Sequence, residues 1–291
     1  MRIGIVGAGR VGCSLAIALS KKGLPAVGVY SRNADSIRTV REKAVFTVYK
    51  DTGALVEGSD TVLITVPDTR IEEVSKEIAR ASQPDALAGK VFLHCSGALT
   101  ATVLSDLREK GGFTGSLHPI QTFPDRTESW ASMYHICFGF EGMPEAEAAA
   151  EEVTRLLDGS MLRVGPGGKS LYHAAACVLS NYMVTLSHTA SGLLERAGIG
   201  REEGLVAFAP LLRSTVENIL KAGSTAALTG PISRGDTATV ASHLEAMERL
   251  FPEGIELYRN MGRETVLVAL EKGTVDDESS RELLRILDGH K

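Results

Sequence analysis

The first twelve residues constrain this chain more than any other segment. Met1-Arg-Ile-Gly-Ile-Val-Gly7-Ala-Gly9-Arg10-Val11-Gly12 runs an apolar strand pattern into Gly-x-Gly-x-x-Gly, and a helical pattern follows over residues 13–22. Glycine triplets also occur in ordinary loops, but here strand, bend and helix come in the order that a phosphate cradle needs. Gly7 permits the tight turn, Gly9 lets the backbone approach a pyrophosphate, and Gly12 lets the helix pack on the sheet. The helix start, with Arg10 and Val11, then faces the anion. The chain is expected to bind a dinucleotide.

The next strand pattern, residues 26–30, says which one. About 20 residues beyond the glycines, an NAD enzyme places Asp or Glu for the ribose 2′-hydroxyl. This chain has Ser31, Arg32 and Asn33 instead. A hydroxyl, a guanidinium and an amide offer donors to a 2′-phosphate, and the arginine fork suits it best. The expected cofactor is therefore NADP(H) in preference to NAD(H), although Arg32 also fits a solvated loop charge.

Length and composition exclude several other classes. The 291 residues suggest about two domains, and 44% hydrophobic content is enough for sizeable cores. With 31 Lys+Arg against 36 Asp+Glu and no basic run, nothing marks a nucleic-acid or anionic membrane surface. No apolar stretch reaches membrane-span length and the N-terminus lacks signal-peptide order, so a cytoplasmic location is expected. Cys13, Cys95, Cys137 and Cys177 form no Cys-x-x-Cys pair and read as reduced, packed thiols. No cluster has zinc-ligand spacing, so no metal is expected.

Strand and helix patterns alternate through the first half. Residues 61–66 form an almost wholly apolar run ending at Val66 and Pro67, the exit at the carboxyl edge of the sheet where ligands bind. A helix follows over 71–81, then a strand at 91–94 with the exit loop Cys95-Ser96-Gly97. Shorter strands are expected at 115–118, 135–140 and 161–164, with a helix over 144–157. From Lys169 onward the pattern is helical, and Gly165-Pro-Gly-Gly168 reads as a hinge. The predicted fold is α/β: a Rossmann doubly wound parallel sheet over 1–165, followed by an all-helical C-terminal domain over 166–291. Apolar helices after residue 170, over 174–186 and 205–220, predict a homodimer joined through that half.

Four segments carry a closer resemblance: His94-Cys-Ser-Gly-Ala98, Ser116-Leu-His-Pro-Ile-Gln-Thr-Phe123, Lys169-Ser-Leu-Tyr-His-Ala-Ala175 with Ser180-Asn-Tyr182, and Gly230-Pro-Ile-Ser-Arg-Gly-Asp236. Together they resemble a little-characterised bacterial family that pairs a Rossmann-like domain with a helical domain of unknown function and whose members are labelled NADP oxidoreductases. The wider superfamily includes 6-phosphogluconate dehydrogenase, pyrroline-5-carboxylate reductase, ketopantoate reductase and prephenate dehydrogenase. The resemblance spans essentially the whole chain and implies hydride transfer between NADP(H) and a small carbonyl, imine or hydroxy acid at the domain junction.

Candidate site residues follow. Ser96, expected among the catalytic residues, and Gly97 lie on the loop where a nicotinamide is expected and offer hydrogen bonds to its carboxamide or to substrate. His94 fits either that role or a satisfied core histidine. His118 before Pro119 is similar to the His-Pro segment of prephenate dehydrogenases, so His118 and Gln121 are expected to face substrate, although a turn-stabilising histidine explains the pattern nearly as well. Lys169 and His173 stand one turn apart on the first long helix of the second domain, with Lys169 expected to bind substrate, and Asn181, eight residues on from His173, lies within about a quarter turn of its face. In the related dehydrogenases this helix carries a Lys and, four residues later, an Asn. Asn181 matches, but Cys177 stands where the lysine would be, so His173 is the expected general acid. Packing roles compete for both. Ser233 and Arg234 are candidates to grip a substrate anion, although a surface charge accounts better for Arg234, with Asp236 capping a helix over 237–250. Two rival readings remain: a non-catalytic NADP(H)-binding sensor or interaction protein, and a prephenate-dehydrogenase-like enzyme.

Overall fold

The computed structural model describes residues 1–24 and 27–289. The chain divides into two compact units, Met1–Val178 and Leu179–Lys291. The glycine-rich turn at 165–168 therefore lies inside the first unit.

In the first unit eight strands form one sheet: β1 (Ile3–Val6), β2 (Val27–Tyr30), β3 (Thr47–Val48), β4 (Thr61–Ile64), β5 (Val91–His94), β6 (Phe113–Pro119), β7 (Cys137–Gly142) and β8 (Ser160–Arg163). Ala26, expected to open the second strand, lies outside the described residues. The order across the sheet is β3-β2-β1-β4-β5-β6-β7-β8. The chain winds outward from β1 in both directions, so a crevice opens at the carboxyl ends of β1 and β4. Helices α1 (Arg10–Lys21), α2 (Ala34–Arg41), α3 (Thr52–Glu57), α4 (Asp68–Ala81), α5 (Ser105–Arg108), α6 (Pro144–Leu156) and α7 (Lys169–Leu179) complete the unit.

Period-two alternation along the strands feeds two cores, one on each face. Ile3, Ile5, Leu63 and Leu93 join α1 residues such as Leu15 and Leu19 in one core. Val6, Val62, Ile64 and Phe92 join Ile71 and Ile78 of α4 in the other. A central strand covered on both sides is nearly continuous in apolar residues, and β1 and β4 follow this with Thr61 as the one polar residue. One expectation needs correction. The sheet is not wholly parallel, because β6 and β7 pair antiparallel, from Gly115 opposite Gly142 to Pro119 opposite Phe138.

The second unit contains α8 (Asn181–Arg196), α9 (Arg201–Ala222), α10 (Ser224–Ala227), α11 (Thr237–Leu250), α12 (Ile255–Lys272) and α13 (Asp277–Leu287). Val240, Leu244, Val266, Leu283 and Leu287 form its core. Asp236 caps α11 as expected, its Oδ1 accepting from the Thr239 N–H at 3.0 Å. The α8–α9 pair is different: α9 buries only Gly204, and α8 only Ser191 and Gly192. Among the described residues no helix is long and apolar enough to cross a membrane.

Candidate cofactor and active site

The crevice is built by backbone conformation first. Gly7 has φ +106°, a value an L side chain resists, and its N–H donates to the Tyr30 carbonyl at 2.8 Å. The Thr65 hydroxyl lies 3.1 Å from the Val6 carbonyl oxygen and 2.9 Å from that of Gly7, tying β4 to the bend. A Cβ at Gly12 would overlap the Gly7 carbonyl oxygen and the Thr65 hydroxyl, so the helix can approach only without one. A Cβ at Gly9 would meet nothing closer than the Thr65 carbonyl oxygen at 3.8 Å and would stand in open crevice. No side chain caps the start of α1 and its first turn holds no acid, which leaves Arg10, Val11 and Gly12 at a helix end that favours an anion.

Gly7, Gly9, Ser31, Arg32, Asn33, Val66 and Pro67 line a single crevice of about 280 Å³. Thr65, Ser36, Glu77 and Arg126 also line it, and sequence reasoning had not singled them out. The Asn33 side-chain oxygen accepts from the Ser36 N–H at 3.0 Å, capping α2, while Arg32 stays exposed. These residues fit a dinucleotide: a glycine bend with space over Gly9, then polar donors where a ribose would lie.

A second cluster forms where β5 and β6 leave the sheet and α7 begins. Lys169 is 1% exposed, and its Nζ donates to the Ser96 carbonyl at 2.9 Å and the Ser116 hydroxyl at 2.6 Å. Burial pulls its pKa down to about 8, against the opposing pull of Glu141, Cys95 and Asp68. His118 Nδ1 lies 2.7 Å from the Tyr172 hydroxyl. Burial, then the charges of Lys169 and His173, lower His118 to about 4, so its ring is neutral near pH 7. Burial raises Tyr172 to about 12, so the phenol keeps its proton. A phenol donating to His118 Nδ1 would place the imidazole hydrogen on Nε2. The His118 and His173 rings stand 6.0 Å apart, nearly perpendicular. Gly97 sits against both: a Cβ there would come within 2.5 Å of His173 Nδ1 and 3.0 Å of His118 Nε2. His173 Nδ1 is buried with no partner among the described residues.

Other expected residues have different surroundings. His94 is a satisfied core histidine: its Nε2 donates to the Thr100 carbonyl at 3.1 Å, its Nδ1 accepts from the Ser96 N–H at 3.2 Å, and burial holds it near 4. The Ser96 hydroxyl donates to Asp68 at 2.7 Å and accepts from the amides of Ala98 and Leu99. It shapes the loop and is not free for a reacting atom, a correction to the catalytic role expected of it. Gln121 is exposed and bonds the next residue's N–H. α7 ends at Leu179, and Asn181 opens a separate helix in the second unit, so extrapolation along one continuous helix fails. Ser233 is likewise not free, being buried with its hydroxyl 3.2 Å from that of Thr274, while Arg234 is exposed. The thiol of Cys95 is pushed by burial to about 12, which makes it a poor nucleophile. Tyr172 and Ser116 were missed, although Lys169, Tyr172 and His173 stand at the i, i+3, i+4 spacing that shares a helix face.

A glycine bend, a polar crevice at the switch point and a buried Lys–His–Tyr cluster on one sheet edge belong to a Rossmann-type unit. Residues 1–119 match the Rossmann-like domain family, and residues 136–265 match the domain of unknown function DUF2520. The chain thus combines the Rossmann-like and uncharacterised helical domains implied by the resemblance. No curated protein matches it. Among solved structures it is similar to a Bacteroides fragilis protein provisionally assigned as an NADP oxidoreductase (22% identity, 91% of this chain and 97% of that one, TM-score 0.72). A reductive aminase of Aspergillus terreus, in complex with NADPH and ethyl-5-oxohexanoate, is also similar (17% identity, 99% and 92% coverage, TM-score 0.62). So is an imine reductase from a Pseudomonas species (16% identity, 97% and 91% coverage, TM-score 0.59). At these identities the likeness establishes the fold, and function must be argued from the site.

Proposed function

We propose that this protein is an NADP(H)-dependent oxidoreductase acting on a small carbonyl, imine or hydroxy-acid substrate. The observation that carries this reading is that the glycine-and-arginine crevice and the Lys169–His118–His173 cluster occupy the same carboxyl edge of one sheet within one unit. The nicotinamide cofactor, when bound, supplies the hydride chemistry. The chain's own residues hold and polarise the acceptor. Neutral His118 offers its Nε2–H to a carbonyl or imine, held in that tautomer by Tyr172. His173, with an unpartnered ring nitrogen beside Gly97, gives or takes the accompanying proton. Lys169 fixes the Ser96 carbonyl and hence the loop that brings Gly97 to both rings. Arg32 at the end of β2, where an NAD enzyme would place a carboxylate, supports NADP(H). The similarity to a reductive aminase and an imine reductase supports a carbonyl or imine substrate.

The test is oxidation of NADPH against a panel of keto acids and cyclic imines. Turnover is expected, and His173→Ala should lower kcat by about 10²–10⁴-fold while NADPH affinity changes less than about twofold. Equal loss of both would remove His173 from the chemistry. Tight NADPH binding without turnover on any member would favour a sensor.

The α8–α9 pair supports a homodimer. Tyr182 (58%), Val206 (75%), Leu211 (63%) and Leu220 (82%) are exposed, and α9 buries almost nothing within its own chain. Sedimentation equilibrium should give twice the chain mass, and Leu211→Glu should shift the protein toward monomer. A monomeric parent protein would contradict this.

A further inference from the structure

The ribose end of the crevice holds a second cation from a distant part of the chain. Arg126, in the segment between β6 and β7, lines the same space as Ser31, Arg32 and Asn33. Its Nη1 donates to the Ser36 hydroxyl at 3.1 Å, and Ser36 is buried in the first turn of α2. That neutral contact aims the guanidinium without consuming its charge.

Nearby carboxylates are already engaged. Asp125 Oδ1 accepts from the N–H groups of Thr127 and Glu128, Glu128 pairs with Lys43, and Asp35 pairs with Arg38. Glu77 is the one carboxylate lining the crevice and forms no ion pair with either arginine among the described residues. Two guanidinium groups from separate segments thus line one crevice, neither in an ion pair among the described residues. A phosphate dianion offers acceptors to both forks.

We infer that Arg126 is a second ligand of the 2′-phosphomonoester on the adenosine ribose, so that selectivity for NADP(H) is set jointly by Arg32 and Arg126. This rests on the cofactor reading above and adds to it. Arg126 follows Gln121 on the segment leaving β6, so the strand that carries His118 continues into a phosphate ligand. Ser36 acts through Arg126 as a positioning residue.

The experiment is calorimetric titration of the full chain with NADPH and with NADH, for the parent protein, Arg126→Ala and Arg126→Lys, with apo melting temperatures as a folding check. Arg126→Ala should weaken NADPH about 10–100-fold and leave NADH within about twofold, with Arg126→Lys intermediate. An unchanged NADPH affinity, or equal weakening of both cofactors, would overturn the assignment and make Arg126 a loop-packing residue. Should the parent protein bind neither cofactor, the functional reading itself fails, and that result is distinct from selective survival of NADPH binding in the variant.

Discussion

Lys169→Met is expected to abolish most turnover, by at least about 100-fold in kcat, while leaving the protein folded. Met matches the length of the lysine stem and removes a buried charge, so the core keeps its packing. What is lost is the strut to the Ser96 carbonyl and Ser116 hydroxyl. Misplacing the Gly97 loop by about 1 Å against His118 and His173 suffices for a loss of that order. Stability carries an independent signature. Folding lowers the Lys169 pKa from 10.5 to about 8, so between those values the unfolded chain binds more protons. Stability must then rise with pH through that window, by up to about 3 kcal/mol from this group. The variant should lack that rise. Denaturant titrations of both proteins from pH 7 to 10.5 measure it, and parallel curves would mean that folding leaves the Lys169 pKa unshifted.

Lys169 and His118 both bear on the pH profile of activity. Lys169 loses its charge above about 8 and His118 gains one below about 4, so kcat/KM should be bell-shaped with limbs near those values. Lys169→Met should remove the alkaline limb and move the acidic limb upward, since the lysine's charge helps to keep His118 neutral.

Much of the fold was legible because it follows from local pattern. The glycine bend, the apolar strands β1, β4 and β5, and the Asp236 cap of α11 each depend on residues adjacent in sequence. The antiparallel β7 was not read, although a signal existed. A parallel return usually needs a crossover helix of a dozen or more residues. Between Pro119 and Cys137 there is only a 3-10 turn, Ser129–Met133. The break at Ser180 had no such signal, since neither glycine nor proline marks it.

The site was legible as a set of residue types and much less as a set of roles. His94 and Ser96 stood out because they sit at a strand exit, but their partners Thr100 and Asp68 are set by the loop and by α4. Lys169, expected to bind substrate, is buried. Its burial depends on Ser96 and Ser116, which only the folded sheet brings beneath α7. Arg126 had no local signal at all, because its meaning comes from Ser36 and Arg32.

Gly9→Ala and Gly12→Ala should separate cofactor binding from folding. In Gly12→Ala the new methyl must displace the Gly7 carbonyl or the Thr65 hydroxyl, both fixed by the bend. Overpacking against groups so placed costs about 1–3 kcal/mol, and the start of α1 should move away from the sheet. Both stability and NADPH affinity are expected to fall. In Gly9→Ala the methyl meets nothing closer than 3.8 Å, so the apo protein should keep its melting temperature. That methyl nevertheless occupies the space in which a pyrophosphate would approach the backbone, and NADPH affinity should drop by at least about 100-fold. Thermal melts and cofactor titrations of the two variants decide the matter. If Gly9→Ala bound NADPH as tightly as the parent protein, the space above this glycine would not be a phosphate site, and the dinucleotide reading would lose its physical basis.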